Sequence, residues 1–168
     1  TYAAQVQLAG GAVRRHAVDL GRVGERLSGL AGLVTPRTKA IVLNSPCNPS
    51  GCTYDADELA AAGEIARRAG VWLVCDEVYA AFAAHRRPRS VLEVMPDLVD
   101  RVVIVDSASK AYALAGWRVG WLIAPAGLAR RGLAVGAGVQ LHHRRSRRPR
   151  GVELGRLRVD EQGDAAAR

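Results

Sequence analysis

The sequence has few cysteines and no pattern of metal ligands. Its three cysteines, Cys47, Cys52 and Cys75, form neither an even set nor a C-x-x-C pair, so they indicate neither a disulfide-stapled secreted scaffold nor a zinc site. Buried free thiols in a reducing cytosol fit this pattern better. His142 and His143 are adjacent, and neighbouring side chains point in different directions on a helix or strand, which makes them a poor pair of ligands. We therefore expect no metal.

The sequence also lacks long apolar segments. No stretch approaches the roughly 18 consecutive apolar residues of a membrane helix, and residues 1–20 lack the basic and apolar segments of an export signal. These absences argue for a cytoplasmic protein with no membrane partner. The chain begins with Thr1 in place of methionine, so we also expect it to be a piece of something longer.

The positive charge is concentrated at one end of the chain. The 168 residues carry a formal net charge of +8, and 49% of them are hydrophobic, as in a soluble globular protein. Residues 1–129 hold 14 basic and 12 acidic side chains, whereas residues 130–168 hold ten arginines and only four acids. The basic excess therefore belongs to the tail, and the body of the chain does not have the composition of a nucleic-acid-binding surface.

The middle of the chain reads as strand, loop, helix and strand. Lys39–Leu43 is a short apolar run bounded by turn residues, which predicts a buried strand. Asp55 and Glu58 have the spacing of a capping box, and apolar residues then recur at helical spacing until Gly70. Val71–Cys75 predicts a second buried strand. A crossover of this kind makes the two strands parallel.

Two more apolar runs extend the pattern. Arg101–Asp106 and Val119–Ala124 predict further strands, and strands that alternate with helices are typical of an α/β fold with a mostly parallel sheet and flanking helices. Near the start, we expect a strand at Ala12–Val18 and a helix at Val23–Leu33, although glycines weaken the helical pattern.

Polar clusters follow three of the predicted strands. They are Asn48-Pro49-Ser50-Gly51, Asp76-Glu77-Val78-Tyr79 and Ser107-Ala108-Ser109-Lys110. In a parallel sheet, ligands bind beyond the carboxyl ends of the strands, because the loops and helix starts converge there. We therefore expect an amide, an acid, a phenol, hydroxyls and an amine to face one crevice.

Together, the motifs N-P-S-G, D-E-V-Y and S-A-S-K-A-Y-A-L-A-G-W-R-V-G resemble the signature of class I/II aminotransferases, which have the aspartate aminotransferase fold, and the spacing between the motifs agrees. The resemblance covers roughly residues 1–130 and implies the central part of the large domain of a fold type I enzyme that uses pyridoxal phosphate. It also implies that parts of the active site, including the arginine for the substrate carboxylate, lie outside this sequence.

The resemblance assigns catalytic roles position by position. Lys110 would bond covalently to the aldehyde of pyridoxal phosphate and later move a proton between substrate and cofactor. Asp76 would keep the pyridine nitrogen protonated, while Asn48 and Tyr79 would bind the phenolic oxygen of the ring. Taken singly, such a lysine is usually a solvated side chain and such an acid a turn or cap residue. Only the joint pattern supports these roles.

The remaining assignments concern the phosphate and the neighbouring residues. The resemblance implies that Ser107 and Arg118 bind the phosphate, with Ser109 as a less direct contributor. Trp117 is better explained as a packing residue beside Arg118 than as a ring that stacks on the cofactor. Glu77 is expected to be structural.

The tail, residues 131–168, has a different character. Its run of arginines at 144–150 offers no apolar face to bury, so we expect an unstructured or frameshifted segment. Gly136 and Gly138 do not form a dinucleotide-binding loop, because Leu141 stands where a third glycine is needed. The alternative is a genuine basic extension that binds nucleic acid or anionic lipid, which is disfavoured because no aromatic residues interleave with the arginines.

The resemblance implies transfer of an amino group from an amino acid to a 2-oxo acid, by an enzyme that is a homodimer in its intact form. The same apparatus supports a carbon-sulfur lyase or another elimination reaction. A non-catalytic truncated product with a basic binding tail is the alternative from a different class. The resemblance also implies that the residues that would select the substrate lie outside the sequence.

Overall fold

A computed structural model of the chain describes residues 2–83, 87–135, 139–141 and 152–158, with side chains up to residue 130. The helices are α1 (Tyr2–Leu8), α2 (Ala56–Ala69), α3 (Val91–Val94), α4 (Ala108–Ala111) and α5 (Ala126–Val135), and the strands are β1 (Ala40–Asn44), β2 (Trp72–Asp76), β3 (Val102–Ser107), β4 (Val119–Pro125), β5 (Val139–Leu141) and β6 (Val152–Arg158). Short 3₁₀ turns cover Leu30–Leu33, Ala80–Phe82, Pro96–Arg101 and Ala115–Trp117. None of the helices described is long and apolar enough to cross a membrane.

The strands form one mixed sheet in the order β1-β2-β3-β4-β6-β5. The first three strands are parallel, and their register places Asn44 beside Asp76 and Asp76 beside Val105. β4 runs antiparallel to β3, with Ser107 opposite Gly120. The predicted α/β class is confirmed, and the four strands read from the sequence each lie within one residue of their predicted ends.

The core lies on one face of the sheet. Leu73 on β2 and Val102 on β3 are 0% and 1% exposed, and they pack with the apolar stripe of α2 and with the segment around Met95. Burying such a side chain contributes on the order of 1.5–3 kcal/mol. α2 lies so close to Met95 that a Cβ added at Gly63 would collide with the Met95 sulfur. Glycine at position 63 therefore lets α2 pack against Met95 without displacing the Met95 side chain.

Helix α2 has the ends that its sequence predicts. The side chain of Asp55 accepts a hydrogen bond from the Glu58 amide, and the Glu58 side chain accepts one from the Asp55 amide, which completes the capping box. The helix stops at Gly70, whose φ of +68° is a left-handed conformation that glycine adopts at little cost. These local signals fix the crossover between β1 and β2.

The other face of the sheet is open among the residues described. Val42 on β1 and Val105 on β3 remain 41% and 38% exposed, although both are large and apolar. Side chains alternate along a strand, so Asn44 and Asp76, which follow the same alternation, also belong to this open face. The open face therefore carries apolar surface next to one of the predicted site residues.

Two predictions for the N-terminal region are wrong. Ala12–Val18 forms no strand, and of the predicted helix at Val23–Leu33 only the last four residues form a 3₁₀ turn. Gly24 has a φ of +85°, which is incompatible with a helix. The segment is held instead by side-chain contacts, such as the hydrogen bond between His16 Nε2 and the carbonyl of Arg26, and the bond from the Arg26 amide to Glu58.

The predicted tail is only partly described. The boundary at residue 130 falls inside α5, and β6 pairs antiparallel with β4 from Val152 to Arg158. The parts of the tail that the structure describes are the end of α5 and the strands β5 and β6. Three sets of residues that the sequence analysis discussed lie outside the described residues. They are the arginine run at 144–150, the glycines Gly136 and Gly138, and the histidines His142 and His143. The division of the chain at residue 130 thus stays a prediction.

Candidate active site

The carboxyl ends of the parallel strands bring three of the polar clusters to one edge of the sheet. Asn44, Asp76 and Val105 are neighbours across β1, β2 and β3, and each strand is followed by one of the clusters. Because Leu73 and Cys75 point into the core, Asp76 points to the open face. Burial raises the pKa of the Cys75 thiol to about 12, so this cysteine stays protonated and packs in the core as a buried free thiol, as predicted. Cys47 and Cys52 are only half-buried, so the prediction of buried thiols is wrong for them.

The carboxylate of Asp76 is held by two donors. The hydroxyl of Tyr2 donates to Oδ2, and the amide of Val78 donates to Oδ1 at 3.1 Å. Burial, together with the hydrogen bond to Asp76 and its charge, raises the pKa of the Tyr2 phenol above its ordinary value. The phenol therefore remains a donor over the whole neutral range. Sequence analysis missed Tyr2, because its contact lies 74 residues away and no local pattern announces it.

Asn48, Tyr79 and Lys110 meet above the ends of β1, β2 and β3. The amide Nδ2 of Asn48 donates to the Tyr79 hydroxyl at 2.8 Å, and the Nζ of Lys110 lies 5.4 Å from the centre of the Tyr79 ring. A cation at this distance is attracted by the ring. Tyr79 therefore has a neighbour from each of the other two motifs.

The three residues predicted to bind phosphate lie at the same edge. Ser107 ends β3 directly before α4, Ser109 is half-buried within α4, and Arg118 precedes β4. Arg118 has a φ of +49°, and its Nη1 donates to the carbonyl of Ala115 at 3.1 Å, so in the described structure it is bonded within its own turn. Trp117 beside it is 65% exposed, and its predicted packing role is wrong.

The acids of the D-E-V-Y motif lie on opposite sides of the sheet. Glu77 follows Asp76, so it points to the core side, where burial and then the charges of Asp106 and Glu93 raise its pKa to about 6, against the lowering effect of the Arg87 charge. Burial, with the charge of Asp76, also raises the pKa of Asp106. Asp76 therefore lies on the open face and Glu77 on the other, and the structural role of Glu77 stays a prediction.

The family profile described as "Aminotransferase class I and II" matches residues 1–144 of the chain. The chain belongs to the class I and II aminotransferases. An aspartate aminotransferase of Geobacillus stearothermophilus is 37% identical over 127 residues, which are 74% of this chain and 32% of that protein. An arginine–pyruvate transaminase of Pseudomonas aeruginosa is 40% identical over 102 residues, or 59% of this chain and 25% of that one.

Solved structures agree with this family assignment. An aromatic aminotransferase from Pyrococcus horikoshii OT3 superposes with a TM-score of 0.70 at 30% identity, over 77% of this chain and 35% of the other. An N-succinyldiaminopimelate aminotransferase from Mycobacterium tuberculosis gives a TM-score of 0.63 at 33% identity, over 74% and 33%. This aminotransferase chain spans about a third of the length of the curated relatives that it matches.

Pyridoxal phosphate is the cofactor of this family, and the side chains at the strand ends have the chemistry to hold it. Lys110 offers a primary amine, Asp76 a carboxylate already oriented by Tyr2 and Val78, and Asn48 with Tyr79 a paired amide and phenol. A protonated ring nitrogen needs an anionic partner, and an aldehyde needs an amine. The residues present in this aminotransferase chain therefore fit the cofactor.

Proposed function

We propose that this chain forms the cofactor-binding part of an enzyme that transfers an amino group between an amino acid and a 2-oxo acid with pyridoxal phosphate. The observation that carries the proposal is the meeting of Asn48, Tyr79 and Lys110, with the Asn48 amide 2.8 Å from the Tyr79 hydroxyl, beside the carboxylate of Asp76. When bound, the cofactor supplies an electron sink for the charge that develops on the substrate α-carbon.

Lys110 is proposed as the covalent anchor and the proton carrier. Its amine is exposed on α4 and lies over the Tyr79 ring, so it is accessible from solvent and has a defined neighbour. After release from the cofactor, the free amine would take a proton from the α-carbon of the substrate and deliver it to a carbon of the cofactor. Only a primary amine can perform both tasks, and Lys39 is the only other lysine in the chain.

Asp76 is proposed to hold the positive charge of the ring nitrogen in place. Tyr2 and Val78 donate to different oxygens of its carboxylate, which fixes the plane of the group. Hydrogen bonds to a charged group are stronger than neutral ones, although exposure to water reduces what they contribute to stability. Tyr2 is thereby a positioning residue for Asp76.

Asn48 and Tyr79 are proposed to bind the phenolic oxygen of the ring, and Ser107, Ser109 and Arg118 the phosphate. The Asn48–Tyr79 bond aligns an amide and a hydroxyl before any ligand arrives. Such preorganisation lowers the entropic cost of binding. Arg118 offers a planar fork that matches a phosphate group, provided that it exchanges its bond to the Ala115 carbonyl for the ligand.

The test is reductive labelling with pyridoxal phosphate and borohydride, followed by peptide mapping. We expect the label on Lys110 and not on Lys39, which precedes β1 at the opposite end of the strands. Lys110→Arg keeps the charge but should remove the label, while Lys39→Arg should leave it unchanged. Label distributed over both lysines, or retained in Lys110→Arg, would contradict the proposal.

The homodimer and the cytoplasmic location are proposed on the resemblance to the family alone. We infer a homodimer in the cytoplasm that takes amino acids and 2-oxo acids, since the motifs are those of such enzymes. Sedimentation of the chain would test the dimer. We also infer that part of residues 131–168 differs in origin from residues 1–130, since the family profile ends at residue 144. Reading the encoding DNA in all three frames would test this, because a second frame that continues the domain supports a frameshift.

A further inference from the structure

Arg26 is buried and fully engaged, which is unusual for an arginine. It is 8% exposed, and its partner Glu58 is 2% exposed. The backbone amide and the Nε of Arg26 both donate to Glu58 Oε1 at 2.9 Å, and its Nη2 donates to Oε2 at 2.5 Å. The Glu58 hydrogen bonds raise the pKa of Arg26. Burial alone would raise the pKa of Glu58, but the Arg26 and backbone hydrogen bonds outweigh it and lower that pKa, so both groups stay charged.

Glu58 is itself fixed by helix α2. Its Oε2 also accepts from the Asp55 amide at 3.0 Å, and its own amide donates to Asp55 Oδ1 at 2.9 Å, as part of the capping box. A side chain held in this way has almost no rotameric freedom left. The guanidinium of Arg26 is therefore anchored to the rigid start of a helix, and the direction of its remaining N–H group is set.

The remaining edge of the guanidinium reaches the loop that carries Asn48. Arg26 Nη1 donates to Cys52 Sγ at 3.1 Å, and the guanidinium carbon lies 5.7 Å from the centre of the Tyr54 ring. Cys52 and Tyr54 lie between the N-P-S-G motif and the start of α2. Arg26 thus contacts the chain on both sides of Thr53, just where the loop joins the helix.

Cys52 in turn closes the loop over residues 47–52. The amide of Cys47 donates to the Cys52 carbonyl at 2.9 Å, and the amide of Gly51 donates to the Cys47 carbonyl at 2.6 Å. Asn48 lies inside this closed loop, and its side chain leaves the loop to meet Tyr79. A displacement of Cys52 would therefore move the backbone that presents the Asn48 amide.

We propose that Arg26 is a positioning residue for Asn48: anchored by Glu58, it holds Cys52 and so fixes the loop that presents the Asn48 amide to Tyr79. A purely stabilising ion pair would need only the contacts to Glu58, whereas Nη1 and the guanidinium face are directed at the loop. The catalytic meaning of the inference rests on the proposed function, but the control of the loop does not.

The decisive variant is Cys52→Ala, because it removes the contact to the loop and leaves the Arg26–Glu58 pair intact. Cys47→Ala is the matched control: this half-buried thiol lies in the same loop, and the contact of its Sγ is to the neighbouring Asn48 carbonyl at 3.8 Å. Cys52→Ser restores an acceptor for Nη1 and should rescue the wild-type behaviour. Arg26→Lys supplies a second test, since a single ammonium cannot serve Glu58 and Cys52 together.

Two measurements are made on each variant. The first is amide hydrogen exchange of a peptide covering residues 47–54, measured in the cofactor-free chain. The exchange should be about three- to tenfold faster in Cys52→Ala and Arg26→Lys than in wild type, because this factor corresponds to the free energy of one lost hydrogen bond. Titration with pyridoxal phosphate should show a dissociation constant raised by a similar factor. Cys47→Ala and Cys52→Ser should match wild type in both.

The outcomes separate the inference from the proposed function. If Cys52→Ala exchanges and binds like Cys47→Ala, Arg26 does not position the loop and the inference is overturned. If exchange accelerates in Cys52→Ala but wild type binds no pyridoxal phosphate, the control of the loop stands and the proposed function fails. A far-ultraviolet spectrum and thermal midpoint equal to those of wild type show that the accelerated exchange is local rather than global unfolding.

Discussion

On one face of the sheet, Leu73 and Val102 are closed off by α2 and the segment around Met95, whereas on the other face Val42 and Val105 remain 41% and 38% exposed. The proposed site lies at the edge of the open face, through Asp76. The adjacent acid, Glu77, belongs to the closed side. The two faces therefore divide stability from chemistry: the closed face holds the fold together, and the open face presents the functional groups.

The largest expected difference between the two faces is the loss of stability when one apolar residue is truncated on each of them. Leu73→Ala should lower the free energy of unfolding by about 2–5 kcal/mol, because it leaves a cavity in the packed core. Val105→Ala should cost less than about 1 kcal/mol, since a third or more of that side chain is already in water. Urea denaturation of both variants measures the contrast. Equal losses would show that the two faces are equally packed.

The closed face was the easier one to predict from sequence, because its signals are local. Asp55, Glu58 and Gly70 mark the ends of α2 within a few residues of chain, and the apolar runs mark the strands to within one residue. The motifs also led to Asn48, Tyr79 and Lys110, which the fold brings together through the alignment of parallel strand ends.

The features that sequence analysis missed depend on contacts between distant residues. Tyr2 bonds to Asp76 across 74 residues, and Arg26 bonds to Glu58 across 32. Neither contact produces a periodicity, and a buried arginine cannot be told from a solvated one until its partner is known. Residues 12–33 carry weak local patterns of a strand and a helix, but side-chain contacts, one of them to Glu58, determine the path of this segment.

A second test sharpens the contrast between the neighbouring acids. The pKa of Glu77 is raised to about 6 by burial, so the folded chain binds a proton more tightly than the unfolded one. The contribution of Glu77 to the free energy of unfolding should therefore be fully present below about pH 4.5. About 2 kcal/mol of it should be lost as the pH rises through 6. Glu77→Gln, which cannot ionise, should remove this loss.

The measurement is the free energy of unfolding of wild type and Glu77→Gln at pH 5 and pH 7.5. We expect Glu77→Gln to gain relative to wild type at the higher pH. Glu64→Gln is a suitable control, because its part-exposed side chain pairs with Arg67 on the surface of α2, whereas the neighbouring charges that act on Glu77 are those of Asp106, Glu93 and Arg87. If the difference between wild type and Glu77→Gln were the same at both pH values, the burial of an ionisable Glu77 would be refuted.

The smallest expected effect on stability comes from the open face, at Tyr2. Tyr2→Phe removes the hydroxyl that donates to Asp76 Oδ2 but keeps the ring, and Asp76 retains its bond from Val78. Stability should fall by no more than about 1 kcal/mol, while the dissociation constant for pyridoxal phosphate should rise about three- to tenfold, because Asp76 loses its fixed orientation. Tyr112→Phe, at a tyrosine that is 67% exposed, should change neither.

The pH dependence distinguishes this role of Tyr2 from a role in proton transfer. The pKa of the Tyr2 phenol is raised by burial and by Asp76, so the hydroxyl keeps its proton, and with it the hydrogen bond, at every pH from 5 to 9. The ratio of dissociation constants between Tyr2→Phe and wild type should therefore be constant over that range. A ratio that changed with pH would mean that Tyr2 titrates, and the open face would then hold an ionisable phenol in place of a fixed donor.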